Sequence, residues 1–165
     1  IPDYDLELVE QPVGYQDLAG MKRIRDLGIA PIMADESVVT PADAINVIQA
    51  GAVDAIKIKI TKVGGYINAR KIIDICEGAG IKLVLGQGLC SSLEAVAEAH
   101  LACAYEYVWP VAEMVGPTKL VDDLTDTPVD LMQGVMNLPH GPGLGVELSS
   151  EKLRKYVVTN NGVNS

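Results

Sequence analysis

The sequence predicts an α/β fold, a partial TIM-type (β/α) barrel of about five strand–helix units. Short β-branched runs alternate with helical patterns along most of the chain, which is typical of parallel βαβ units. The predicted strands end at Glu10, Asp35, Lys59 and about Gln87, at nearly even intervals of 25, 24 and 28 residues. A complete barrel takes about 250 residues. The 165-residue chain is therefore expected to supply the C-terminal part of one.

The predicted strands are short apolar runs, and each is followed by a turn or a helix cap. Pro12 and Pro110 stop the first and the last of them, because proline has no N–H to donate to a sheet. The third strand carries Lys57 and Lys59 two residues apart, which places both ammonium groups on one face. The predicted strands are residues 6–10, 31–34, 54–59, 81–85 and 105–109.

The predicted helices lie between these strands and after the last of them. Asp17 and Thr40 are N-cap residues, and Ser149 or Ser150 caps the final helix. Several of the helical patterns are followed directly by a glycine, which ends the helix. The tail from Thr159 to Ser165 is expected to be disordered. The predicted helices are residues 17–27, 40–50, 66–79, 92–104 and 150–157.

Composition and charge exclude several kinds of function. The chain is 48% hydrophobic, which is enough for one sizeable core. Its formal net charge is −9 and it has no dense Lys/Arg cluster, so we expect no nucleic-acid partner. The sequence contains no run of about 18 apolar residues, so it predicts no membrane-spanning helix. Cys76, Cys90 and Cys103 have no CxxC spacing, so we expect neither disulfides nor structural zinc, and a cytoplasmic location.

Charged residues follow the carboxyl ends of successive predicted strands, where the functional groups of such barrels lie. The residues are Glu10, Asp35 with Glu36, and Lys59. Carboxylate oxygens suit a hard cation such as Mg²⁺. A nearby cation and desolvation both favour a neutral amine, so Lys59 could act as a base near neutral pH. A metal ion with a lysine base is the equipment for removing a proton α to a carboxylate.

Each of these residues also has a structural explanation. A single Glu or Asp at a strand end is commonly a helix cap or an ion-pair partner. Lys57 is expected to pair with a carboxylate inside the barrel and to support Lys59 from there. Cys90 is expected to be an inert thiol, because free cysteines usually behave as small apolar residues.

The chain contains four short motifs, at Val9–Pro12, Ala34–Ser37, Lys59–Gly65 and Pro142–Gly145. Together they resemble the enolase superfamily, in the subgroup of the muconate lactonizing enzyme (muconate cycloisomerase) and mandelate racemase-like enzymes. They occur in the order and at the spacing of that family, and the resemblance runs from about Tyr4 to Tyr156. It implies the C-terminal portion of a superfamily barrel.

The resemblance also implies roles for individual residues. Glu10 and Asp35 match two metal ligands of the family, for Mg²⁺ or Mn²⁺, and Lys59 matches the acid/base lysine of the sixth strand. Lys62 matches a position of less certain role. Groups on the substrate side or behind the ligands are expected at Glu36, Lys57, Cys90 and Glu113.

Parts of the family pattern are expected to lie outside the chain. The third metal ligand, the second-strand Lys-x-Lys and the N-terminal capping domain would all precede Ile1. We therefore expect residues 1–147 to be the C-terminal part of a barrel, and 148–165 a C-terminal helix with its tail.

Two positions within the chain differ from relatives of the subgroup. Cys90 stands where muconate-type enzymes have a Glu at the end of strand seven. Trp109–Val111 stands where dipeptide epimerases have an Asp-x-Asp, which counts against that activity. The following segment, Ala112–Pro117, is closer to the muconate-type loop.

The function expected from the resemblance is metal-dependent transfer of a proton α to the carboxylate of a small substrate. Muconate-type cycloisomerisation ranks first. Racemisation or epimerisation of an amino-acid derivative and dehydration of an acid are alternatives that use the same machinery. An alternative of another class is a catalytically incomplete barrel fragment or a subunit completed by another chain. We expect either a homo-oligomer or a need for the missing N-terminal part.

Overall fold

The computed structural model describes residues 4–109, 112–131 and 133–158. The chain forms two compact units, one of Ile1–Gln87 with Leu101–Met114 and one of Gly88–His100 with Val115–Ser165. Within the described ranges, no helix has both the length and the apolar character needed to cross a bilayer. The tail predicted to be disordered lies outside the described residues.

A parallel sheet of four strands forms the centre of the first unit. The strands lie side by side in the order in which they follow one another in the chain. This order is that of a (β/α) barrel, whereas a doubly wound sheet reverses its strand order. The predicted α/β class is confirmed. The strands are β1 (Val9–Glu10), β2 (Ile32–Ala34), β3 (Ala55–Ile58) and β4 (Lys82–Leu85).

The prediction of a continuous fifth strand over residues 105–109 is wrong. The preceding helix ends at Ala104, and residues 106–107 form a turn, so extended backbone begins later than predicted. Among the described residues, the outer edge of β4 is paired through two isolated parallel bridges. They join Leu83 to Val108 and Gly86 to Glu113. The pairing therefore reaches beyond the predicted strand and carries Glu113 to the carboxyl end of β4.

The helices follow the predicted pattern closely. Two of them, residues 66–79 and 92–104, have the predicted bounds. Asp17 caps the first helix by accepting a hydrogen bond from the N–H of Gly20, and Thr40 forms a capping box with Asp43. The helices are α1 (Leu18–Asp26), α2 (Pro41–Gln49), α3 (Ile60–Val63), α4 (Tyr66–Ala79), α5 (Ser92–Ala104) and α6 (Ser150–Tyr156).

The one-turn helix α3 was not predicted. Its sequence, Ile-Thr-Lys-Val, is rich in β-branched residues and is typical of a continuing strand. The helix ends at Gly64, whose φ of 81° lies in the left-handed region that glycine adopts without strain. Gly64 therefore allows the chain to turn directly from β3 through α3 towards α4.

Side chains of the sheet alternate between two faces. Ile56, Ile58 and Leu83 are fully buried on one face. The other face carries an apolar cluster of Met33, Ala55 and Val84, with Leu8 and Trp109 packed against it. Lys57 is two residues beyond Ala55, and period-two alternation places it on this second face. A layer of charged residues therefore lies one step along the strands from the apolar cluster.

Asp123 organises the start of α5 in the second unit. One carboxylate oxygen accepts hydrogen bonds from the N–H of Ser92 at 2.8 Å and its hydroxyl at 2.9 Å. The other accepts from the N–H of Thr125 at 2.9 Å and its hydroxyl at 2.8 Å. Burial alone would raise the pKa of Asp123, but these hydrogen bonds outweigh burial and hold the pKa below its ordinary value.

Asp123→Asn should lower the free energy of unfolding by about 3 kcal/mol, because the amide would turn an N–H group towards buried donors. Urea denaturation of the complete polypeptide measures the change. Asp126→Asn, at an exposed position, is the matched control. The depressed pKa of Asp123 adds stability above about pH 4, and this stability is lost as the pH falls through the folded-state pKa. The free energies of unfolding of Asp123→Asn and of the control should therefore converge in acid. Equal stability of variant and control at neutral pH would contradict this role.

Candidate active site at the strand ends

The carboxyl ends of the first three strands bring charged side chains to one edge of the sheet. Glu10 is the last residue of β1, while Asp35 and Lys59 directly follow β2 and β3. Parallel strands end at the same edge, so residues far apart in the sequence become neighbours. The structure joins Glu10, Asp35, Lys57 and Lys59 into two groups of ion pairs, which also include Lys62 and Glu113.

Asp35 is the buried centre of the first group, and its side chain is only 1% exposed. Lys59 donates a hydrogen bond to its Oδ2, and Lys62 donates to its Oδ1 at 2.8 Å. Burial alone would raise the pKa of Asp35, but the hydrogen bonds from the two lysines outweigh burial and hold the pKa below its ordinary value. Asp35 is therefore a carboxylate at neutral pH.

Lys62, whose role the sequence left open, ties β2 to β3. Its Nζ donates to the main-chain oxygens of Asp35 at 2.6 Å and Lys57 at 2.9 Å, in addition to Asp35 Oδ1. These three acceptors match the three protons of an ammonium group. Burial lowers the pKa of Lys62, and the attraction of Asp35 offsets only part of that effect. The contacts indicate an anchor, while the neighbouring Lys59 is the more exposed of the two lysines.

The short helix α3 explains why both lysines reach Asp35. Lys59 is its N-cap residue, and Lys62 lies within the helix. Residues three apart lie on the same side of a helical turn, so the two side chains project in one direction. A continued strand would have pointed positions 59 and 62 to opposite faces.

Lys57 is the centre of the second group. Its Nζ lies 2.6 Å from Oε2 of Glu10 and 2.5 Å from Oε2 of Glu113. The lysine side chain is 3% exposed. Burial alone would lower the pKa of Lys57, but hydrogen bonds to the two carboxylates outweigh it and raise the pKa above its ordinary value. Lys57 is therefore a buried ammonium ion shared by two acidic residues.

Gln11 supports the site, although the sequence analysis did not single it out. Its Oε1 accepts hydrogen bonds from the N–H groups of Asp35 at 3.0 Å and Ser37 at 3.2 Å, and its Nε2 donates to the hydroxyl of Ser37 at 2.9 Å. Its backbone φ of 38° lies in the left-handed region, which non-glycine residues rarely adopt. The available signal was the glutamine within Val9–Pro12, since an amide can both accept and donate.

Glu36 and Cys90, also predicted from the sequence, have different surroundings. Glu36 is exposed, one residue beyond Asp35. Cys90 lies in the second unit and is 7% exposed. Burial is the main cause that raises the pKa of the Cys90 thiol to about 12, with Glu94 and Glu98 adding to it. Cys90 is therefore a neutral thiol at physiological pH and a poor nucleophile.

Comparison with known families decides where this arrangement belongs. The Enolase C-terminal domain-like family matches residues 1–152. The chain belongs to this family. The resemblance to the enolase superfamily is thereby confirmed, and the match covers both groups of ion pairs at the strand ends.

Relatives of this enolase C-terminal domain-like chain include two kinds of isomerase. Muconate cycloisomerase 1 of Rhodococcus opacus is 36% identical over 151 residues, 92% of this chain and 40% of that protein. L-Ala-D/L-Glu epimerase of Bacillus subtilis is 37% identical over 141 residues, 86% of this chain and 38% of that protein. The crystal structure of 2-chloromuconate cycloisomerase from Rhodococcus opacus 1CP has a TM-score of 0.87 and 38% identity, covering 93% of this chain and 42% of that one. The chain thus spans about two fifths of the length of these relatives.

The donor set of the enolase C-terminal domain-like site fits a hard divalent cation. Glu10 and Asp35 supply carboxylate oxygens from adjacent strands, and Mg²⁺ prefers such ligands together with water and substrate oxygens. Within the part of the chain that the structure describes, no group of three or more His, Cys, Asp or Glu residues is arranged to hold a metal. Glu10 and Asp35 would therefore offer a cation two carboxylate groups rather than a complete cage.

Proposed function

We propose that this chain contributes the lysine base and two metal ligands to an active site that moves a proton at the carbon next to a carboxylate. Muconate-type cycloisomerisation is the proposed reaction. The observation that carries the proposal is the contact between Lys59 and Asp35 at adjacent strand ends, beside Glu10 on the next strand. The ends of three adjacent strands thus bring a proton-transfer group and two carboxylate residues close together.

Each residue has a defined task in this proposal. Lys59 takes or returns the proton, because it directly follows β3 with a side chain 21% exposed, whereas Lys62 donates to three acceptors. Glu10 and Asp35 would hold Mg²⁺ or Mn²⁺, which when bound stabilises negative charge that develops on the substrate carboxylate. Gln11 keeps Asp35 in place, because its Oε1 accepts a hydrogen bond from the main-chain N–H of Asp35.

The charges of the two groups support an anionic substrate. The group of Asp35, Lys59 and Lys62 carries one formal net positive charge, since two lysines face one carboxylate. The group of Glu10, Glu113 and Lys57 carries one formal net negative charge. A small carboxylate is therefore attracted towards Lys59, and a cation towards the carboxylates of Glu10 and Glu113. A cation that also bound Asp35 would replace one of the ammonium groups that contact its two oxygens.

The similarity to muconate cycloisomerase favours cycloisomerisation, and the similarity to L-Ala-D/L-Glu epimerase makes epimerisation the second candidate. Both reactions use the same proton transfer, and they differ in the groups that hold the rest of the substrate. Pro110 and Val111, which stand where the resemblance places an Asp-x-Asp in dipeptide epimerases, lie outside the described residues. A subunit that another chain must complete is the remaining candidate, because the chain spans about two fifths of its relatives.

The test is a substrate screen in deuterated water with the complete polypeptide and Mg²⁺ or Mn²⁺. Muconates, N-acyl amino acids and dipeptides are incubated separately, and NMR follows deuterium at the α-carbon together with product formation. The proposal expects lactone formation from a muconate. Exchange with dipeptides alone would replace cycloisomerisation by epimerisation. If no substrate showed either deuterium exchange or conversion, the proposed chemistry would be rejected.

Cys90→Ser should leave the rate of the proposed reaction within about threefold of wild type, because a neutral buried thiol offers no nucleophile to lose. The initial rate at saturating substrate is the measurement. Cys103→Ser, at an exposed cysteine, is the matched control. A loss of about a hundredfold for Cys90→Ser alone would make the thiol part of the site.

A further inference from the structure

We propose that Lys57 is a positioning residue that fixes the Glu10 carboxylate by joining it to Glu113, and that glycine at position 86 leaves the room in which this lysine keeps that position. The inference rests on the proposed function in one respect, which is that Glu10 is a metal ligand. It adds three residues to the machinery, of which Lys57 and Glu113 form the ion pairs and Gly86 provides the space.

Lys57 connects a residue of the first strand, β1, with a residue paired to the outer edge of the last strand, β4. Glu10 lies on β1, two strands away from Lys57 on β3, and Glu113 pairs with the far edge of β4. The ammonium group is within 2.6 Å of both carboxylates, although their side chains are 36% and 54% exposed while the lysine is 3% exposed. A buried lysine is rare without partners, and here it has two. The buried ammonium group therefore contacts both of the more exposed carboxylates from the protein interior.

Glu10 needs such support because its strand is short. β1 consists of Val9 and Glu10 alone, and the next residue, Gln11, has a left-handed φ. A carboxylate at the end of a two-residue strand has little regular backbone to fix its direction. The hydrogen bond from Lys57 to Oε2 provides a fixed point in the buried layer of the sheet.

Gly86 supplies independent support for this arrangement. A Cβ atom at position 86 would lie 2.4 Å from Cε of Lys57, 3.1 Å from Cδ and 3.2 Å from Cγ. Gly86 does not belong to the glycines with positive φ, so its backbone is open to any residue. The requirement for glycine is thus one of space along the lysine stem. Gly86 also pairs with Glu113, so one position accommodates the stem and aligns the second carboxylate.

Removing Lys57 could either tighten or weaken cation binding, and the direction of the change shows whether the lysine acts as a positioning residue or only as a charge. Removing a positive charge close to a cation site should tighten cation binding by Coulomb attraction. Removing a group that orients a ligand should weaken binding, typically by about 10- to 100-fold. The proposal expects the second outcome, because Glu113 already offsets the charge of Lys57, and Lys57 donates a hydrogen bond directly to Oε2 of Glu10.

The experiment titrates Mn²⁺ into the complete polypeptide and follows the electron paramagnetic resonance signal of free Mn²⁺, so it needs no substrate and no turnover. Lys57→Ala and Gly86→Ala should each weaken binding by about tenfold or more. The double variant should be no weaker than Lys57→Ala, because its new methyl group enters the space that the lysine stem has left. Gly88→Ala is the matched control, since a Cβ there meets no atom within 4 Å.

Other outcomes overturn the inference in distinguishable ways. Unchanged or tighter Mn²⁺ binding by Lys57→Ala rejects the positioning role, and full additivity in the double variant rejects the role of Gly86. Wild-type protein that binds no Mn²⁺ rejects the metal site of the proposed function, and the inference falls with it. Lys57→Met keeps an apolar stem without the ammonium group, and it decides the question if circular dichroism shows Lys57→Ala to be unfolded.

Discussion

Lys59→Ala should reduce α-proton exchange by about 10³-fold, within the range that a positioned general base contributes. The loss is expected because the other lysine at Asp35, Lys62, donates to three fixed acceptors and cannot replace it without breaking the link between β2 and β3. Exchange of the substrate α-proton in deuterated water, followed by NMR on the complete polypeptide, measures the effect.

Two further variants make the Lys59 result specific. Lys59→Arg keeps a positive charge beside Asp35 but holds its proton at all accessible pH values, so exchange should be lost while Mn²⁺ binding remains. Lys71→Ala, at an exposed lysine of α4, should behave like wild type. If Lys59→Ala exchanged the α-proton at the wild-type rate, Lys59 would have no part in the proposed chemistry. If Lys59→Arg retained exchange, Lys59 would act only through its positive charge and not as a base.

Asp35→Asn should weaken Mn²⁺ binding by about a hundredfold or more, because loss of a direct ligand should cost at least as much as loss of its supporting contacts. The same change should lower the free energy of unfolding by about 3 kcal/mol, since it leaves the Lys59 and Lys62 ammonium groups without their buried counter-charge. Mn²⁺ titration and urea denaturation measure the two effects separately.

Asp74→Asn is the matched control for Asp35→Asn. Asp74 has a side chain 58% exposed and lies 3.9 Å from Arg70 on the same helix, so its loss should change neither metal binding nor stability appreciably. An unchanged metal dependence in Asp35→Asn would exclude Asp35 from the ligand set, even if the variant were less stable.

Regular elements with local signals could be predicted well from the sequence. The bounds of α4 are the predicted ones because Gly65 and Gly80 flank a continuous helical pattern. Glu10, Asp35 and Lys59 could be grouped because parallel strands end at one edge of a sheet, so alignment of the strands also aligns their last residues.

Features that depend on contacts between distant residues could not be predicted. The β-branched sequence of α3 favours a strand, and the helix forms where Lys59 and Lys62 meet Asp35. The space requirement at Gly86 arises from a side chain 29 positions earlier, which no local pattern records. The start of the fifth extended segment was misplaced because Tyr105 is compatible with either a turn or a strand.

Helix α3 constrains how the protein can change through insertions and deletions. Each residue advances a helix by about 100°, so one residue removed between Lys59 and Lys62, or two residues added, would turn the second ammonium group away from Asp35. The segment from Lys57 to Gly65 is therefore expected to keep its length among variants of this fold. New substrate preferences are then expected to arise in the loops after the other strands, since loops tolerate changes of sequence and length better than the elements they connect.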